Sequence, residues 1–234
     1  MTTETENQTA GGRPDDLTLE AIYRRAWRLA VDNLWPFIGI SLLIILFSVA
    51  AEAAEQVGQR LIMSQAPDSL LLTLIPTLLG GVLGILVLSP IGASVGWVFL
   101  KATRHEEYRI ADMFAVFSRN YWNVVLAQFL VTLLIFAGFL LFIIPGLYLA
   151  VRMTFVPYLA IDRQMKATDA IKTSWEMTGG CFWTLVAMAL IAIPVTVVGL
   201  FLFGIGILPA AVFLGFASAA VYHAVAVRNQ PAVQ

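Results

Sequence analysis

Long runs of apolar residues, each bounded by charged residues, dominate the chain. From Met177 to Val227 no residue carries a formal charge, and most are Leu, Val, Ala, Ile, Phe or Gly. One crossing of a bilayer takes about 20 apolar residues, so this stretch is long enough for two. Three more uncharged runs precede it, at 33–51, 69–100 and 120–151. The pattern predicts an integral membrane protein.

The limits of these runs predict an all-α bundle of six membrane-spanning helices. We place the crossings at 34–54, 70–100, 121–143, 146–161, 181–203 and 207–227. Pro145-Gly146 predicts a tight reversal between crossings three and four, and residues 204–209 predict another between five and six. The second run would form a helix of about 48 Å, against a hydrocarbon core of about 30 Å. It is therefore expected to kink at its Pro or Gly residues, or to project from the membrane.

Composition supports this class and limits the others. The chain is 59% hydrophobic and 12% charged, whereas a soluble domain carries about 25% charged residues. A net charge of −1 gives no electrostatic reason to expect nucleic acid as a partner. The single cysteine, Cys181, excludes an intrachain disulfide.

The chain is expected to form one membrane domain with short tails. We expect a disordered tail at 1–16, one membrane domain at 17–228 and a short tail at 229–234. The first apolar run begins too late for a signal peptide, so we expect it to be retained as a crossing.

Lysine and arginine predict the orientation, because cytoplasmic loops carry an excess of them. With both termini inside, twelve of the 14 cations are cytoplasmic, while Arg60 lies outside and Arg152 within a crossing. The outer loop also holds Glu52, Glu55 and Asp68. We therefore expect a multi-pass protein of a bacterial cytoplasmic membrane with cytoplasmic N- and C-termini.

Three amphipathic cytoplasmic segments precede the odd-numbered crossings. Their apolar positions recur at helical spacing, as in helices at a membrane surface or against the inner end of a bundle. These positions are Leu19, Ile22, Tyr23 and Ala26; Ile110, Met113, Phe114 and Phe117; and Ala167, Ala170, Ile171 and Trp175. The unit of one interfacial helix and two crossings thus occurs three times, which predicts a threefold internal repeat.

Tryptophans mark the same boundaries. An indole favours the headgroup zone, so tryptophans near the ends of crossings are expected to anchor the protein there. The expected anchors are Trp27, Trp35, Trp122, Trp175 and Trp183. An ordinary aromatic belt would show the same residues without any repeat.

Residues 144–153 (IPGLYLAVRM), followed by 170–176 (AIKTSWE) and Gly179-Gly180, carry a resemblance. The chain resembles poorly characterised bacterial multi-spanning proteins allied to the membrane domain of some glycerophosphodiester phosphodiesterases. The resemblance covers roughly residues 17–227 and implies a six-helix membrane domain with interfacial helices. It does not imply catalysis, because the phosphodiesterase chemistry of the larger relatives belongs to a separate soluble domain.

Arg152 is the sharpest candidate for function, since a cation inside a crossing is costly. Counted from the Pro145 turn, it is expected about 10 Å below the outer boundary. Three interpretations are open. It snorkels to the outer headgroups, it pairs with Glu52 or Glu55 at the outer end of crossing one, or it binds a lipid phosphate or other anion from within the bundle.

Small residues form two further candidate surfaces, because they let helices approach closely. Their spacing puts each set on one face of its helix, in crossing two and in crossing six. The sets are Gly80, Gly84, Gly92 and Gly96, and Ala211, Gly215 and Ala219. Each face serves either packing within the bundle or docking of another subunit.

Enzyme and metal motifs are not visible in the sequence. His105 and His223 lack the three or four convergent donors that a metal site needs, and the serine-hydrolase, zinc-protease and phosphate-loop patterns do not occur. We expect no cofactor, no metal and no catalytic residues.

These features favour a non-enzymatic membrane protein with a structural or accessory role. Its partners would be membrane lipids and other membrane subunits or further copies of itself. The alternative is a carrier or channel for a lipid-like or weakly polar anionic solute, with Arg152 as the group that faces the anion. A lipid-modifying enzyme without a recognisable motif is a third, remote hypothesis.

Overall fold

A computed structural model describes residues 18–65, 70–201 and 207–229, and regular structure in these ranges is helical. The expected tail at 1–16 lies outside the described residues, and so does the expected tail at 229–234 apart from Asn229. In chain order the α-helices are α1 Leu19–Asp32, α2 Leu34–Gln65, α3 Leu70–Leu83, α4 Ser89–Thr103, α5 Ala115–Arg119, α6 Tyr121–Leu141, α7 Ile143–Arg152, α8 Val156–Asp162, α9 Ala167–Gly179, α10 Phe182–Phe201 and α11 Ile207–Arg228. A π-helix, Gly84–Leu88, joins α3 to α4, and a 3₁₀-helix, Ile110–Phe114, precedes α5.

Six helical segments of the described chain are long and apolar enough to cross a membrane. They are Leu34–Leu61, Leu78–Thr103, Tyr121–Leu141, Ile143–Asp162, Phe182–Leu200 and Leu208–Arg228. The predicted all-α, six-crossing class is therefore confirmed. The side of the bundle at which α2, α6 and α10 begin carries Lys101, Arg104, Arg163 and Arg228, and we refer to it as the basic side.

Three helices from the even-numbered crossings, α4, α8 and α11, form the centre of the bundle. α4 packs against both α8 and α11, and Leu100, Leu159, Phe216 and Tyr222 on these helices are almost completely buried. The odd-numbered crossings surround them, and most of their large apolar side chains are exposed, as are those of α3 in crossing two. Apolar side chains on the outside of a bundle are expected where the helices face lipid hydrocarbon instead of water.

The interfacial helices make a cyclic set of contacts, which the predicted repeat left open. Each interfacial helix packs on the second crossing of the preceding unit: α1 on α11, the 3₁₀-helix on α4, and α9 on α8. The first unit thus closes on the third. The spatial relation between units follows from helix contacts that the sequence pattern alone does not specify.

Crossing two is interrupted rather than straight. Pro90 lies in the first turn of α4, directly after the π-helix. In an α-helix the Leu86 carbonyl would accept from residue 90, but proline has no N–H. Instead the Tyr121 hydroxyl donates to this carbonyl at 2.8 Å. A neighbouring helix thus satisfies the freed group, as a membrane interior requires.

Crossing four also breaks, between α7 and α8. Pro157 occupies the first turn of α8, where proline is tolerated because that turn lacks N–H partners anyway. The backbone of Met153–Phe155 between the two helices turns, so Arg152 becomes the last residue of a helix. The sequence had placed it in the middle of one.

Two local predictions were wrong. The reversal after crossing three occurs at Phe142, which is extended, whereas Pro145 and Gly146 already belong to α7; a proline near a helix start continues the helix. In the second interfacial segment Met113 and Val116 are buried, while Ile110, Phe114 and Phe117 are exposed. The 3₁₀-helix has three residues per turn rather than 3.6, which shifts the buried face. The expected reversal at 204–209 lies partly outside the described residues.

The other two interfacial helices bury much of the expected face. Ile22 and Ala26 of α1 are buried as predicted, and so are Ala167 and Ala170 of α9. In α9, however, the buried face continues through Ser174 and Thr178 rather than Trp175. The reason is a polar contact described below.

Candidate functional site

The main-chain carbonyl of Arg152 is held by hydroxyl groups of α9. Because the helix breaks after Arg152, the carbonyl lacks a regular helical partner. The Ser174 hydroxyl donates to it at 2.8 Å, and the Thr178 hydroxyl lies at 3.5 Å. Both residues are fully buried. α9 is therefore fixed to the break by a hydrogen bond in addition to apolar packing.

The guanidinium of Arg152 lies among three aromatic rings. Its central carbon is 5.1 Å from the centroid of Tyr148, 5.0 Å from Trp175 and 5.4 Å from Phe182. Nε donates to the Tyr148 hydroxyl at 3.0 Å, and one terminal nitrogen donates to the Trp175 carbonyl at 3.1 Å. Cation–π contacts of this kind contribute about 0.5–1 kcal/mol each at partly exposed sites. Arginine has five N–H donors, so the cluster leaves some available to a phosphate or another anion.

This position contradicts the outward location expected from the sequence. Trp175 lies near the end of α9 and Phe182 is the first residue of α10, so the guanidinium is on the basic side. A cation at the C-terminus of α7 also meets the negative end of the helix dipole. The count from Pro145 runs along unbroken α7, so the error lies in what surrounds Arg152: contacts with α9 and α10 decide its location, and a count along one helix does not reveal them.

The structure does not bring Arg152 together with Glu52 or Glu55. Among the described residues no ion pair joins them; Glu55 instead accepts a hydrogen bond from Gln59 at 3.2 Å. Its carboxylate also lies against Gly80, where an added methyl group would overlap it. Both glutamates line a groove of about 620 Å³ between α2 and α3, together with apolar side chains such as Phe47 and Leu83.

The four glycines of crossing two do not share one face. Gly80 and Gly84 line the groove beside α2, whereas Gly92 and Gly96 line a different cavity beside α6 and α8. The π-helix between the pairs has more residues per turn than an α-helix. It therefore rotates one half of the predicted stripe away from the other.

The small residues of crossing six pack mainly inside the bundle. A methyl group on Gly215 would fall 2.5 Å from the Phe99 ring, and Ala219 is completely buried. Ala211 alone is exposed. This helix face brings α4 and α11 together. It therefore serves packing within the bundle, which was one of the two interpretations, the other being docking of another subunit.

The five expected tryptophan anchors are all exposed. Trp35, Trp122 and Trp183 each follow the first residue of an odd-numbered crossing and are between 75% and 83% exposed. The side chains of Trp27 and Trp175 are exposed to a smaller degree. Their location at the basic side suits an interfacial role. Trp97, the remaining tryptophan, is buried, with Lys101 and Arg119 each 4.3 Å from its ring centroid.

An ionic cluster at the basic side was missed by sequence reasoning. Arg104 after α4 binds both carboxylate oxygens of Asp162 on α8, at 2.7 and 2.8 Å, and the Tyr222 hydroxyl of α11 donates to the same carboxylate at 3.1 Å. Burial lowers the pKa of Arg104, but the bond to Asp162 outweighs it and raises the pKa overall. The sequence did contain a signal for this pair, because Arg104 and Asp162 carry opposite charges at the ends of crossings two and four.

A second ion pair stabilises the segment that follows α4. Lys101 binds Asp112 at 2.9 Å, and the same carboxylate accepts from the main-chain N–H of Arg109 at 3.0 Å. Burial raises the pKa of Asp112, but these two contacts outweigh it and lower the pKa overall. The pair therefore favours the ionised carboxylate.

No metal site is formed by the part of the chain that the structure describes, since it holds no group of three His, Cys, Asp or Glu side chains suited to one. No family model, curated protein or solved structure matches this chain. The fold and contacts define a multi-pass integral membrane protein.

Proposed function

We propose that this protein has a non-enzymatic, accessory role in a bacterial cytoplasmic membrane, packing against partner membrane subunits and lipids. The observation that carries the proposal is the set of exposed apolar side chains on α2, α6 and α10, around the buried residues of α4, α8 and α11. Such a shape offers large side surfaces for other membrane helices. The positive-inside rule supports a cytoplasmic basic side.

The turn between α6 and α7 supports a partner subunit in particular. Leu140, Leu141, Phe142, Ile143 and Ile144 are each more than two-thirds exposed. They lie on the side opposite the basic side, where a turn commonly meets water and carries polar residues. An apolar turn there is better matched by contact with another subunit or with deep hydrocarbon.

The use of charge also fits a structural role. Arg104 and Lys101 pair with aspartates, and Arg25 donates to the main-chain carbonyl of Thr103 at 3.1 Å. These contacts fix the ends of helices to one another. The alternative role as an anion carrier loses support, because Arg152 lines neither the cavity beside α6 and α8 nor the groove beside α2.

Site-specific photo-crosslinking tests the proposal. A benzophenone amino acid replaces Phe142 or, as a matched control on the outer face of α10, the exposed Leu190. In native membranes we expect a discrete protein adduct from position 142, with the same partner recovered in a fixed ratio under mild solubilisation, and lipid adducts from position 190. Lipid adducts alone at both positions would overturn the accessory role.

A further inference from the structure

A cavity of about 360 Å³ lies between crossings two, three and four. Its lining comes from α4, α6 and α8, and it includes Ser89, Gly92, Gly96, Gln128, Pro157 and Tyr158. All of these residues belong to membrane-spanning segments. Ligand sites typically enclose about 300–1,000 Å³, with mainly apolar walls and a few polar groups, and this cavity falls within that range.

Two polar side chains in the lining have no protein partner among the described residues. Gln128 is the eighth residue of α6, about 10 Å along the crossing, and no described group bonds its amide. Ser89, at the start of α4, likewise makes no side-chain hydrogen bond to any described group. An amide left without a partner in hydrocarbon costs several kcal/mol. An intramembrane polar group of this kind therefore indicates a ligand that completes its hydrogen bonds.

Tyr158 and two glycines form another part of the cavity wall. The Tyr158 hydroxyl is 2.9 Å from that of Ser218, and its ring stacks on Tyr222 at a centroid distance of 5.0 Å. A methyl group on Gly92 would meet no atom within 4 Å, whereas one on Gly96 would contact the Tyr158 ring at 3.3 Å. Space is thus available at Gly92 and already filled at Gly96.

We propose that this cavity binds the head of a neutral, membrane-soluble molecule that bears a carbonyl or hydroxyl oxygen. None of the described residues that line the cavity is charged, which disfavours an ionic headgroup. The Gln128 amide supplies two donors and an acceptor, and the Ser89 hydroxyl supplies one donor and an acceptor. The apolar remainder of the ligand would lie in hydrocarbon. The site does not depend on the accessory role proposed above.

Native mass spectrometry of the full chain in lipid nanodiscs tests this site. The probes are dioleoylglycerol, with hydroxyl and ester groups, and a short-chain quinone, with ring carbonyls. Squalene, which has no oxygen, and the anionic lipid phosphatidylglycerol serve as comparisons. We expect the wild type to retain at least one oxygen-bearing neutral probe in preference to both comparisons. The preferred probe distinguishes a glycerolipid from a quinone as the source of the oxygen.

Three variants locate the binding. Gln128→Leu removes the amide, and Gly92→Leu fills the cavity; each should weaken retention at least tenfold, which corresponds to about 1.4 kcal/mol. Gly39→Leu is the control, because Gly39 on α2 also has open space around it but lies outside the cavity. It should retain the probe as the wild type does.

A stability measurement separates a ligand site from a structural role for the amide. Because no described residue hydrogen-bonds the Gln128 amide, Gln128→Leu should unfold at the same or a higher temperature in the absence of probe. Equal retention by all three variants, equal retention of squalene, no retention of either neutral probe, or a lower unfolding temperature for Gln128→Leu would each overturn the proposal.

Discussion

At the scale of single residues, the most informative contacts are those of a cation that the sequence had marked as costly. Arg152 does not face the lipid tails alone; aromatic rings and a main-chain carbonyl surround it. These contacts replace part of its hydration. The guanidinium, which is planar and weakly hydrated, suits such a setting better than an ammonium group.

Replacing Arg152 should therefore destabilise the protein independently of the two glutamates. Arg152→Ala is expected to lower the free energy of unfolding by about 1–2 kcal/mol, from lost cation–π contacts and hydrogen bonds. Arg152→Lys should retain less than half of the free energy that Arg152→Ala loses. Unfolding by SDS titration in mixed micelles measures both. In double-mutant cycles Arg152→Ala should couple to Trp175→Leu and be additive with Glu52→Gln; the reverse result would contradict the contacts described.

The acid side of the stability profile should depend on Asp112. Its folded pKa lies below the ordinary value of 3.8, so its contribution is complete above that pH and disappears as pH falls through the folded pKa. Asp112→Asn should lower the unfolding temperature at pH 6 and differ less and less from the wild type below about pH 4. Asp169→Asn, at an exposed carboxylate of α9, is the control and should change little. A deficit for Asp112→Asn that stays constant down to pH 2.5 would argue against the pair.

At the scale of elements, interruptions of two crossings are compensated by neighbouring helices. The Tyr121 hydroxyl satisfies the Leu86 carbonyl beside the π-helix, and the Ser174 hydroxyl satisfies the Arg152 carbonyl beside the α7–α8 break. Proline makes both interruptions possible, but only tertiary contacts make them stable in hydrocarbon.

Ser174→Ala tests this compensation. The change leaves a buried carbonyl with only the longer contact from Thr178, so we expect a loss of about 1–3 kcal/mol in unfolding free energy. Thr173→Ala is a matched control, since Thr173 lies on the same helix and makes no side-chain hydrogen bond to a described residue. The control should be neutral or slightly stabilising, because alanine has the higher helix propensity. Equal effects of the two changes would show that the hydroxyl of Ser174 is not needed.

At the scale of the whole molecule, the arrangement of three units fixes which segments share a side. The ends of α4, α8 and α11 meet the starts of α2, α6 and α10, so residues 109 and 172 should lie together and residue 60 opposite. The only native thiol, Cys181, is buried, and burial raises its pKa to about 11. It should react little with maleimides near neutral pH.

Cysteine labelling with an impermeant maleimide in oriented vesicles checks this topology. Arg109→Cys and Lys172→Cys should label from one side and Arg60→Cys only from the other. The unmodified chain provides the background. Labelling of positions 109 and 172 from opposite sides would refute the six-crossing arrangement.

The sequence by itself determined the class of the protein, because hydrocarbon demands long apolar helices and charges mark where they end. It placed all six crossings and the buried face of α1. These are properties of single segments, and local composition is enough to predict them.

Tertiary structure decided where the glycines, the arginine and the polar residues of the crossings lie and what they contact. The π-helix separates Gly80 from Gly92, contacts with α9 and α10 place Arg152 at the basic side, and the cavity gathers Ser89, Gln128 and Tyr158 from three helices. Each outcome depends on helix rotation and on which neighbour supplies a missing hydrogen bond. Such information is held in contacts between distant parts of the chain, so counting residues along one helix could not provide it.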